Sequence, residues 1–191
     1  MRIILIGMPR VGKTRLGREL AKCLQVKFLD SDFLLAKKYG VSVQELFAKC
    51  GKEKFRELEF LTLKEIFENN KNFVLATGGG VVDCEASVKL LSSEKIIVYL
   101  TAPLEEIAIR ILQQKKSGKN FPSFFHCEYC QYFTFETEEV CKTCIIKKLN
   151  ALFLSREQSY KKLAHFSIDN TTELELTVRK ILKALDGVLT S

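Results

Sequence analysis

The chain has 191 residues, which is enough for one buried core with a small insert but too few for two full domains. Apolar residues make up 47% and charged residues 28%, an ordinary globular balance, and the net charge of +7 favours anionic partners such as nucleotide phosphates. No signal peptide is visible, and no apolar run approaches the roughly 20 residues of a membrane-spanning helix. We therefore expect a cytoplasmic protein without a membrane partner.

Short apolar runs alternate with helical patterns, which predicts a parallel sheet covered by helices on both faces. The predicted strands are Arg2–Ile6, Lys27–Leu29, Phe73–Ala76, Ile96–Leu100 and Phe166–Ile168. The predicted helices are Lys13–Leu24, Phe33–Tyr39, Val43–Lys49, Glu53–Glu68, Pro103–Lys116, Lys147–Leu163 and Glu173–Leu189. Residues 117–146 break this periodicity and are rich in aromatic residues and cysteines. We interpret them as an insert within a single domain that spans residues 1–191.

The first predicted strand runs directly into a phosphate-binding motif. GMPRVGKT, from Gly7 to Thr14, fits the pattern G-x-x-x-x-G-K-[ST] and opens a predicted helix, which is the context that the motif requires. Backbone amides at the helix start can wrap a phosphate, Lys13 would reach the β- and γ-phosphates, and the Thr14 hydroxyl would take a Mg²⁺ position. We prefer this nucleotide site to a glycine-rich turn without a ligand.

Two carboxylates follow the second predicted strand, in the sequence Asp30-Ser31-Asp32. Ligands of open α/β sheets gather at the carboxyl ends of the strands. Asp30 could hold Mg²⁺ or its water shell, and Asp32 could accept the proton of an attacking hydroxyl. Alternatively, one of the two merely caps the helix that begins near Phe33, and spacing alone leaves both interpretations open.

Further along the chain, several residues suit an anionic acceptor. Arg56 and Glu59 lie one helical turn apart, and an arginine held by a glutamate is a fixed fork suited to a carboxylate. As an isolated pair they would more often form a surface salt bridge. Gly78–Gly80 follow the third strand and would let a ligand approach the backbone, whereas a plain turn needs one glycine. Arg156, beyond the insert, would by itself count as solvated surface.

Together these pieces resemble the shikimate kinase family over most of the chain outside the insert. The matching stretches are GMPRVGKTRLG, LDSD, LFAKCGKEKFRELE, ATGGGVV, VYLTAPLEE, SREQSYKKLA and FSIDNTT, in the family's order. The resemblance implies a P-loop kinase fold, with a five-stranded parallel sheet of order 2-3-1-4-5 flanked by helices. It also implies MgATP-dependent phosphorylation of the 3-hydroxyl of shikimate, a step toward chorismate and the aromatic amino acids.

The resemblance implies a role for each matching residue. On the nucleotide side, the ATP-binding residues would be Gly7, Arg10, Val11, Gly12, Lys13, Thr14, Arg15 and Arg110. On the acceptor side, the shikimate-binding residues would be Asp32, Arg56, Glu59, Gly78, Gly79, Gly80 and Arg156. Mg²⁺ would be held by Thr14 and Asp30, and the catalytic residues would be Lys13, Asp32 and Arg56.

Two of these implied roles are specific, and a third position departs from the family. Asp32 would bind the hydroxyls of shikimate and act as the base. Arg56 and Arg156 would clamp the substrate carboxylate, with Glu59 orienting Arg56. Arg10, which stands where the family usually has glycine, would either add charge beside the phosphates or face solvent.

The lid, at about residues 112–150, departs from the family pattern. The family carries an arginine before a proline there, whereas this chain has Phe121 before Pro122 and no arginine between Arg110 and Arg156. A lid cation would be supplied by Lys115, Lys116 or Lys119, or would be absent. A lysine brings charge but no planar fork. Another hydroxyl acceptor, such as the sugar acid gluconate, therefore stays open as an alternative.

The insert carries two Cys-x-x-Cys pairs, Cys127/Cys130 and Cys141/Cys144, with ten residues between them. This spacing can bring four thiolates onto a tetrahedral Zn²⁺, with each pair forming a tight knuckle. We predict a structural zinc site within residues 121–147 that orders the lid. Disulfides, a redox couple or bare thiols are the alternatives, and His126 is expected to be a bystander.

A zinc ribbon that grips nucleic acid, with the kinase-like body as a nucleotide switch, is an alternative from another class. Residues 127–144 hold four glutamates against one lysine. A phosphate backbone attracts the opposite sign of charge. We therefore expect ATP and shikimate as partners of a monomer, and no nucleic acid.

Overall fold

Five parallel strands form the centre of the protein, in the order β2-β3-β1-β4-β5. The structure is a computed structural model that describes residues 1–116 and 138–189. The strands are β1 (Arg2–Gly7), β2 (Lys27–Asp30), β3 (Phe73–Ala76), β4 (Ile97–Thr101) and β5 (Phe166–Asp169). The helices are α1 (Lys13–Cys23), α2 (Ser31–Tyr39), α3 (Val43–Asn69), α4 (Glu85–Leu91), α5 (Leu104–Lys116), α6 (Glu138–Leu163) and α7 (Leu174–Leu189). The predicted α/β class, the five-stranded parallel sheet and its strand order are confirmed.

The central strand β1 explains why the sheet needs helices on both sides. Its residues Ile3, Ile4, Leu5 and Ile6 are all fully buried, so side chains that point to opposite faces both enter the core. β3 and β4, its two neighbours, are likewise buried along nearly their whole length. The carboxyl ends of these three strands therefore meet at one edge, where the loops that follow them lie close together.

Local signals fix the helices that carry the site. Ser42 and Glu45 form a reciprocal capping box at the start of α3. Gly51, at φ 75°, interrupts α3 and separates the two helical segments that the sequence predicts. The 3₁₀ turn Val81–Asp83 and α4 follow the three glycines, and neither was predicted from the sequence.

The predicted knuckle at the second cysteine pair is wrong. α6 begins at Glu138, nine residues before the predicted start, so that Cys141 and Cys144 lie in its first turns. Cys141 is fully buried in the core with Ile145 and Leu149, at the four-residue spacing of one helix face. It therefore packs as a small hydrophobic residue and continues the apolar face of the helix.

The rest of the predicted zinc insert lies outside the described residues, and this includes Cys127, Cys130 and His126. The lid positions Lys119, Phe121 and Pro122 also lie there. Across residues 1–116 and 138–189, no group of three or more His, Cys, Asp or Glu residues is placed to hold a metal ion. Within the same ranges, no helix is long and apolar enough to cross a membrane.

Candidate active site

Two adjoining clefts open at the carboxyl edge of the sheet. The larger, of about 920 Å³, is lined by the phosphate loop and by the predicted acceptor residues, among them Asp32, Arg56 and Arg156. The smaller, of about 640 Å³, is lined by Arg110 and Asn170. The residues that line both clefts are Arg10, Gly12, Arg15 and Gln114. The predicted nucleotide and acceptor residues are therefore neighbours, as a direct transfer between two ligands requires.

The phosphate loop holds its lysine inside the loop. The Lys13 ammonium is buried and donates hydrogen bonds to the carbonyl oxygens of Gly7 (2.8 Å) and Met8 (2.9 Å). Burial lowers the pKa of Lys13 to about 8, while the charges of Asp32 and Asp30 oppose the shift. A bound phosphate would add negative charge beside this ammonium and favour its protonated form.

Two glycines of the loop have backbone conformations that suit only glycine. Gly7 has φ 140°, and a Cβ there would lie 2.5 Å from the carbonyl oxygen of Leu100. Gly12 has φ 108°, and a Cβ there would lie 2.3 Å from Asn170 Nδ2. The motif glycines thus allow the loop to pack tightly against β4 and the segment after β5.

Asp30 makes two hydrogen bonds at once, which confirm that it caps α2, whereas its role in holding Mg²⁺ stays a prediction. Its Oδ1 accepts a hydrogen bond from the Phe33 amide (3.1 Å) and caps α2. Its Oδ2 accepts one from the Thr14 hydroxyl (2.7 Å). Carboxylate and hydroxyl oxygens are the ligand types that Mg²⁺ prefers, so this pair fits a magnesium site beside the phosphate loop.

Asp32 has the electrostatic properties of a general base. It lies in the first turn of α2, two residues beyond the Asp30 cap. Burial raises the pKa of Asp32 to about 6 and the charge of Asp30 adds to the rise, while Lys13, Arg56 and Arg10 oppose it. A carboxyl group with this pKa is mostly ionised at neutral pH and is a stronger proton acceptor than an ordinary aspartate.

The two predicted substrate arginines meet at one carboxylate, that of Asp83. Arg156 donates through Nε to Asp83 Oδ1 (2.8 Å) and through Nη2 to Asp83 Oδ2 (2.6 Å). Arg56 donates through Nη2 to Asp83 Oδ2 (2.8 Å) and through Nη1 to Glu59. The side chains of Arg56 and Arg156 are only 15% and 8% exposed, so neither is a solvated surface arginine.

The pairing of Arg56 with Glu59 is partly buried. Burial raises the pKa of Glu59 to about 7, the Arg56 guanidinium opposes this, and the charges of Asp32 and Asp83 add to it. Burial alone would lower the pKa of Arg56, but Glu59 and Asp83 outweigh it and raise that pKa. Arg56 Nε is buried without a hydrogen-bond partner among the described residues. Arg56 is thus held by carboxylates on one edge and keeps one unused donor.

The three glycines after β3 are required by the side chains packed against them. A Cβ on Gly80 would lie 2.1 Å from Arg56 Nη2, and a Cβ on Gly78 would lie 2.6 Å from Asp32 Oδ1. The Gly79 carbonyl accepts a hydrogen bond from the hydroxyl of Tyr160, whose ring is fully buried. The glycine segment therefore lets Asp32 and Arg56 lie against bare backbone.

Sequence reasoning missed two residues of the site, Asn170 and Asp83. Asn170 Nδ2 donates to the Val11 carbonyl (2.7 Å), and Arg110 bonds both that carbonyl (3.1 Å) and the Asn170 carbonyl (3.0 Å). The position of Asn170 directly after β5 is a signal that could have identified it, because the carboxyl ends of strands line the site. Asp83 had no comparable signal, since its partner Arg156 is 73 residues away.

The nucleotide loop and the acceptor cleft meet around Asp32, whose charge acts on Lys13. A hydroxyl held at Asp32 would therefore lie beside the terminal phosphate of a nucleotide bound at Lys13. This arrangement, on a parallel sheet with a phosphate loop after β1, is that of a small-molecule P-loop kinase.

Within that class, the chain belongs to the shikimate kinase family. The family model described as shikimate kinase matches residues 9–186. A shikimate kinase of Clostridium botulinum is 32% identical over 188 residues, which cover 97% of this chain and 98% of that protein.

Solved structures agree with this assignment. A shikimate kinase from Acinetobacter baumannii, in complex with shikimate, matches with a TM-score of 0.82 and 29% identity over 97% of this chain and 93% of that one. The Aquifex aeolicus shikimate kinase matches with a TM-score of 0.74 and 29% identity, over 98% and 97% of the two chains.

Proposed function

We propose that this chain transfers the γ-phosphoryl group of MgATP to the 3-hydroxyl of shikimate. The observation that carries the proposal is the single cleft in which the P-loop lysine, the raised-pKa carboxylate of Asp32 and the buried arginine pair all lie. Membership in the shikimate kinase family supports it. The structural relative that carries shikimate supports the choice of acceptor.

On the nucleotide side, the loop amides and Lys13 would hold the phosphates of ATP, and Lys13 would exchange its carbonyl partners for phosphate oxygens. Arg110 and Asn170 tie the loop to the segment after β5 and would border the rest of the nucleotide. Mg²⁺ would be held near Thr14 and Asp30, where it neutralises charge on the phosphates when bound.

On the acceptor side, Asp32 would take the proton of the 3-hydroxyl while the hydroxyl oxygen forms a bond to the γ-phosphorus. The bond from that phosphorus to the bridging oxygen breaks, and ADP leaves with the electron pair. Arg56 and Arg156 would bind the acceptor carboxylate and fix which hydroxyl points at Asp32. Glu59 would keep Arg56 in place.

The zinc site stays a prediction, and we propose it for the four cysteines of the insert. Cys141 and Cys144 are three residues apart at the start of α6, so their thiols share one side of the helix. Cys141 would have to turn its thiol out of the core to bind zinc, and the ion would then tie the lid to this helix. The expected monomer, the cytoplasmic location and the absence of a nucleic-acid partner are also proposals.

The direct test is ADP release from MgATP by the purified protein, with and without shikimate. Strong shikimate-dependent turnover is expected, and gluconate should give none. Turnover with gluconate but not with shikimate would overturn the acceptor assignment while leaving the kinase class intact. Tight binding of a nucleic acid, without turnover of either acceptor, would instead favour the nucleotide-switched alternative.

A further inference from the structure

Asp83 already occupies the arginine edge that an acceptor carboxylate would use. Its two oxygens accept hydrogen bonds from Nε and Nη2 of Arg156, the paired donors that fit one carboxylate. Its Oδ2 also accepts from Nη2 of Arg56. A single carboxylate thus bridges both guanidinium groups.

The buried arginines explain why a carboxylate is stable there without a ligand. Two neighbouring guanidinium groups that are 15% and 8% exposed repel each other and lose most of their hydration. A partner anion offsets both costs, and Asp83 supplies one from within the chain. A substrate carboxylate that bound the same donors would bring a second negative charge, which the Asp83 carboxylate would repel.

Asp83 is placed so that it can give way. It is the last residue of the short 3₁₀ turn after the glycines, and its side chain is 20% exposed, more than either arginine. An aspartate has two side-chain torsions, so its carboxylate can turn toward water without a change in the fold. Arg56 stays paired with Glu59 while it does so, and Arg156 keeps its backbone position on α6.

We propose that Asp83 is a built-in carboxylate that competes with the acceptor for Arg56 and Arg156 and thereby sets acceptor affinity and selectivity. The proposal rests on the proposed function, since it takes the two arginines as the acceptor's carboxylate site. An acid acceptor must displace Asp83, which weakens its binding. A neutral acceptor does not have to displace Asp83, so the two arginines stay paired when it binds. Asp83 therefore reduces the preference of the site for an acid acceptor over a neutral one.

The test compares two acceptors in the wild type and in Asp83→Asn. The acceptors are shikimate and its analogue with a hydroxymethyl group in place of the carboxylate. In Asp83→Asn, KM for shikimate should fall by about three- to tenfold, because a removed competitor leaves a charge-assisted site open. KM for the neutral analogue should stay or rise, and kcat for shikimate should change little. Asp83→Ser should shift KM in the same direction.

Glu85→Gln is the matched control, because Glu85 is an exposed acidic residue two positions along the chain. It should leave both KM values unchanged, which excludes a general effect of net charge. A rise in KM for shikimate in Asp83→Asn would overturn the proposal and make Asp83 a residue that positions the arginines. Equal changes for both acceptors would overturn it too. A thermal unfolding curve of each variant checks that it is folded.

Calorimetric binding of benzoate, a plain carboxylate, separates this proposal from the proposed function. If the wild type does not phosphorylate shikimate but Asp83→Asn binds benzoate more tightly, the competition is real and only the acceptor assignment fails. If shikimate is phosphorylated but Asp83→Asn changes neither KM nor benzoate binding, the competition is refuted and the proposed function stands.

Discussion

The hydroxyl of Thr14 donates a hydrogen bond of 2.7 Å to Asp30 Oδ2, which joins the phosphate loop after β1 to the end of β2. The other oxygen of Asp30 is held by the amide of Phe33. The pair is therefore fixed in place before any metal arrives. If Mg²⁺ binds here as proposed, such preorganisation would lower the cost of ordering its two protein ligands.

Replacement of Thr14 tests this pair. Thr14→Val keeps the branched shape and removes the hydroxyl, so kcat/KM for MgATP should fall by about 10²-fold or more, as for loss of a comparable catalytic donor. Thr14→Ser is the matched control and should stay near the wild type, since it keeps the oxygen. Steady-state kinetics over a range of Mg²⁺ concentrations measures both. Equal activity of the two variants would show that the hydroxyl has no part in metal binding.

The raised pKa of Asp32 predicts an acidic limb in the pH profile. The base must be ionised to accept a proton, so kcat/KM for shikimate should fall as the pH drops through about 6. Asp32→Asn should reduce kcat by about 10²- to 10⁴-fold, in the range of general base catalysis. ATP binding by that variant, measured by calorimetry, should persist. A profile that stays flat to pH 4.5 would contradict the assignment.

The buried carboxyl groups of Asp32 and Glu59 should destabilise the ligand-free fold near neutral pH. Burial raises the pKa of Asp32 from 3.8 to about 6 and that of Glu59 from 4.5 to about 7. Between the unfolded and the folded pKa of each group, the folded chain holds more protons than the unfolded chain. The free energy of unfolding therefore falls as the pH rises from about 4 to 7. The stability that these groups contribute is therefore present at low pH and lost through the folded pKa values.

Asp32→Asn removes one of these charges and should be more stable than the wild type at pH 7.5, by on the order of 1–2 kcal/mol. The Tm would rise by about 2–8 °C for a chain of this size. The gain should vanish near pH 4, where the wild-type carboxyl is protonated. Thermal unfolding at both pH values measures it, with the exposed Glu68→Gln as a control that should show no gain. A gain of the same size at both pH values would rule out ionisation as the cause.

Local patterns account for what the sequence could predict. The phosphate loop, the buried strands and the Arg56–Glu59 pair each depend on residues close together in the chain, so their spacing indicates their structure. The Asp83–Arg156 contact joins α6 to the turn before α4, and no local pattern marks it. Cys141 shows that a local pattern can also mislead. Its spacing from Cys144 is that of a metal knuckle, but its spacing from Ile145 and Leu149 is that of a buried helix face, and the structure has the helix.

Arg10 combines an unfavourable backbone with a charge at the site. It has φ 64°, a conformation rare for residues other than glycine, and it lines both clefts. Burial lowers the pKa of Arg10, and the charge of Asp32 opposes the shift. The strain at this position is typical of a functional site rather than of a solvated loop.

Arg10→Gly should therefore be more stable than the wild type, by about 1 kcal/mol from relieved backbone strain, and less active. It should also move the acidic limb of the profile to higher pH, because Arg10 is one of the cations that lower the pKa of Asp32. Arg10→Lys keeps both the charge and the strained backbone, so neither Tm nor the limb should move. Unfolding curves and pH profiles of the two variants decide this. An unmoved limb in Arg10→Gly would show that the side chain faces solvent.

The predicted zinc site is best tested at its first cysteine pair. Cys141 is fully buried in the core, so a serine there would destabilise the chain whether or not it binds zinc. Cys130, of the first predicted pair, is therefore the position to replace. Protein purified without added metal should contain about one zinc per chain by mass spectrometry, as expected for one tetrahedral four-cysteine site. Cys130→Ser should lose most of it, whereas Cys23→Ser, at an exposed position on α1, should retain it.

Removal of the metal with a chelator should lower the Tm, since structural zinc contributes directly to folding. A metal-free native protein whose insert cysteines react freely with a thiol reagent would exclude zinc, and reaction only after reduction would indicate disulfides instead.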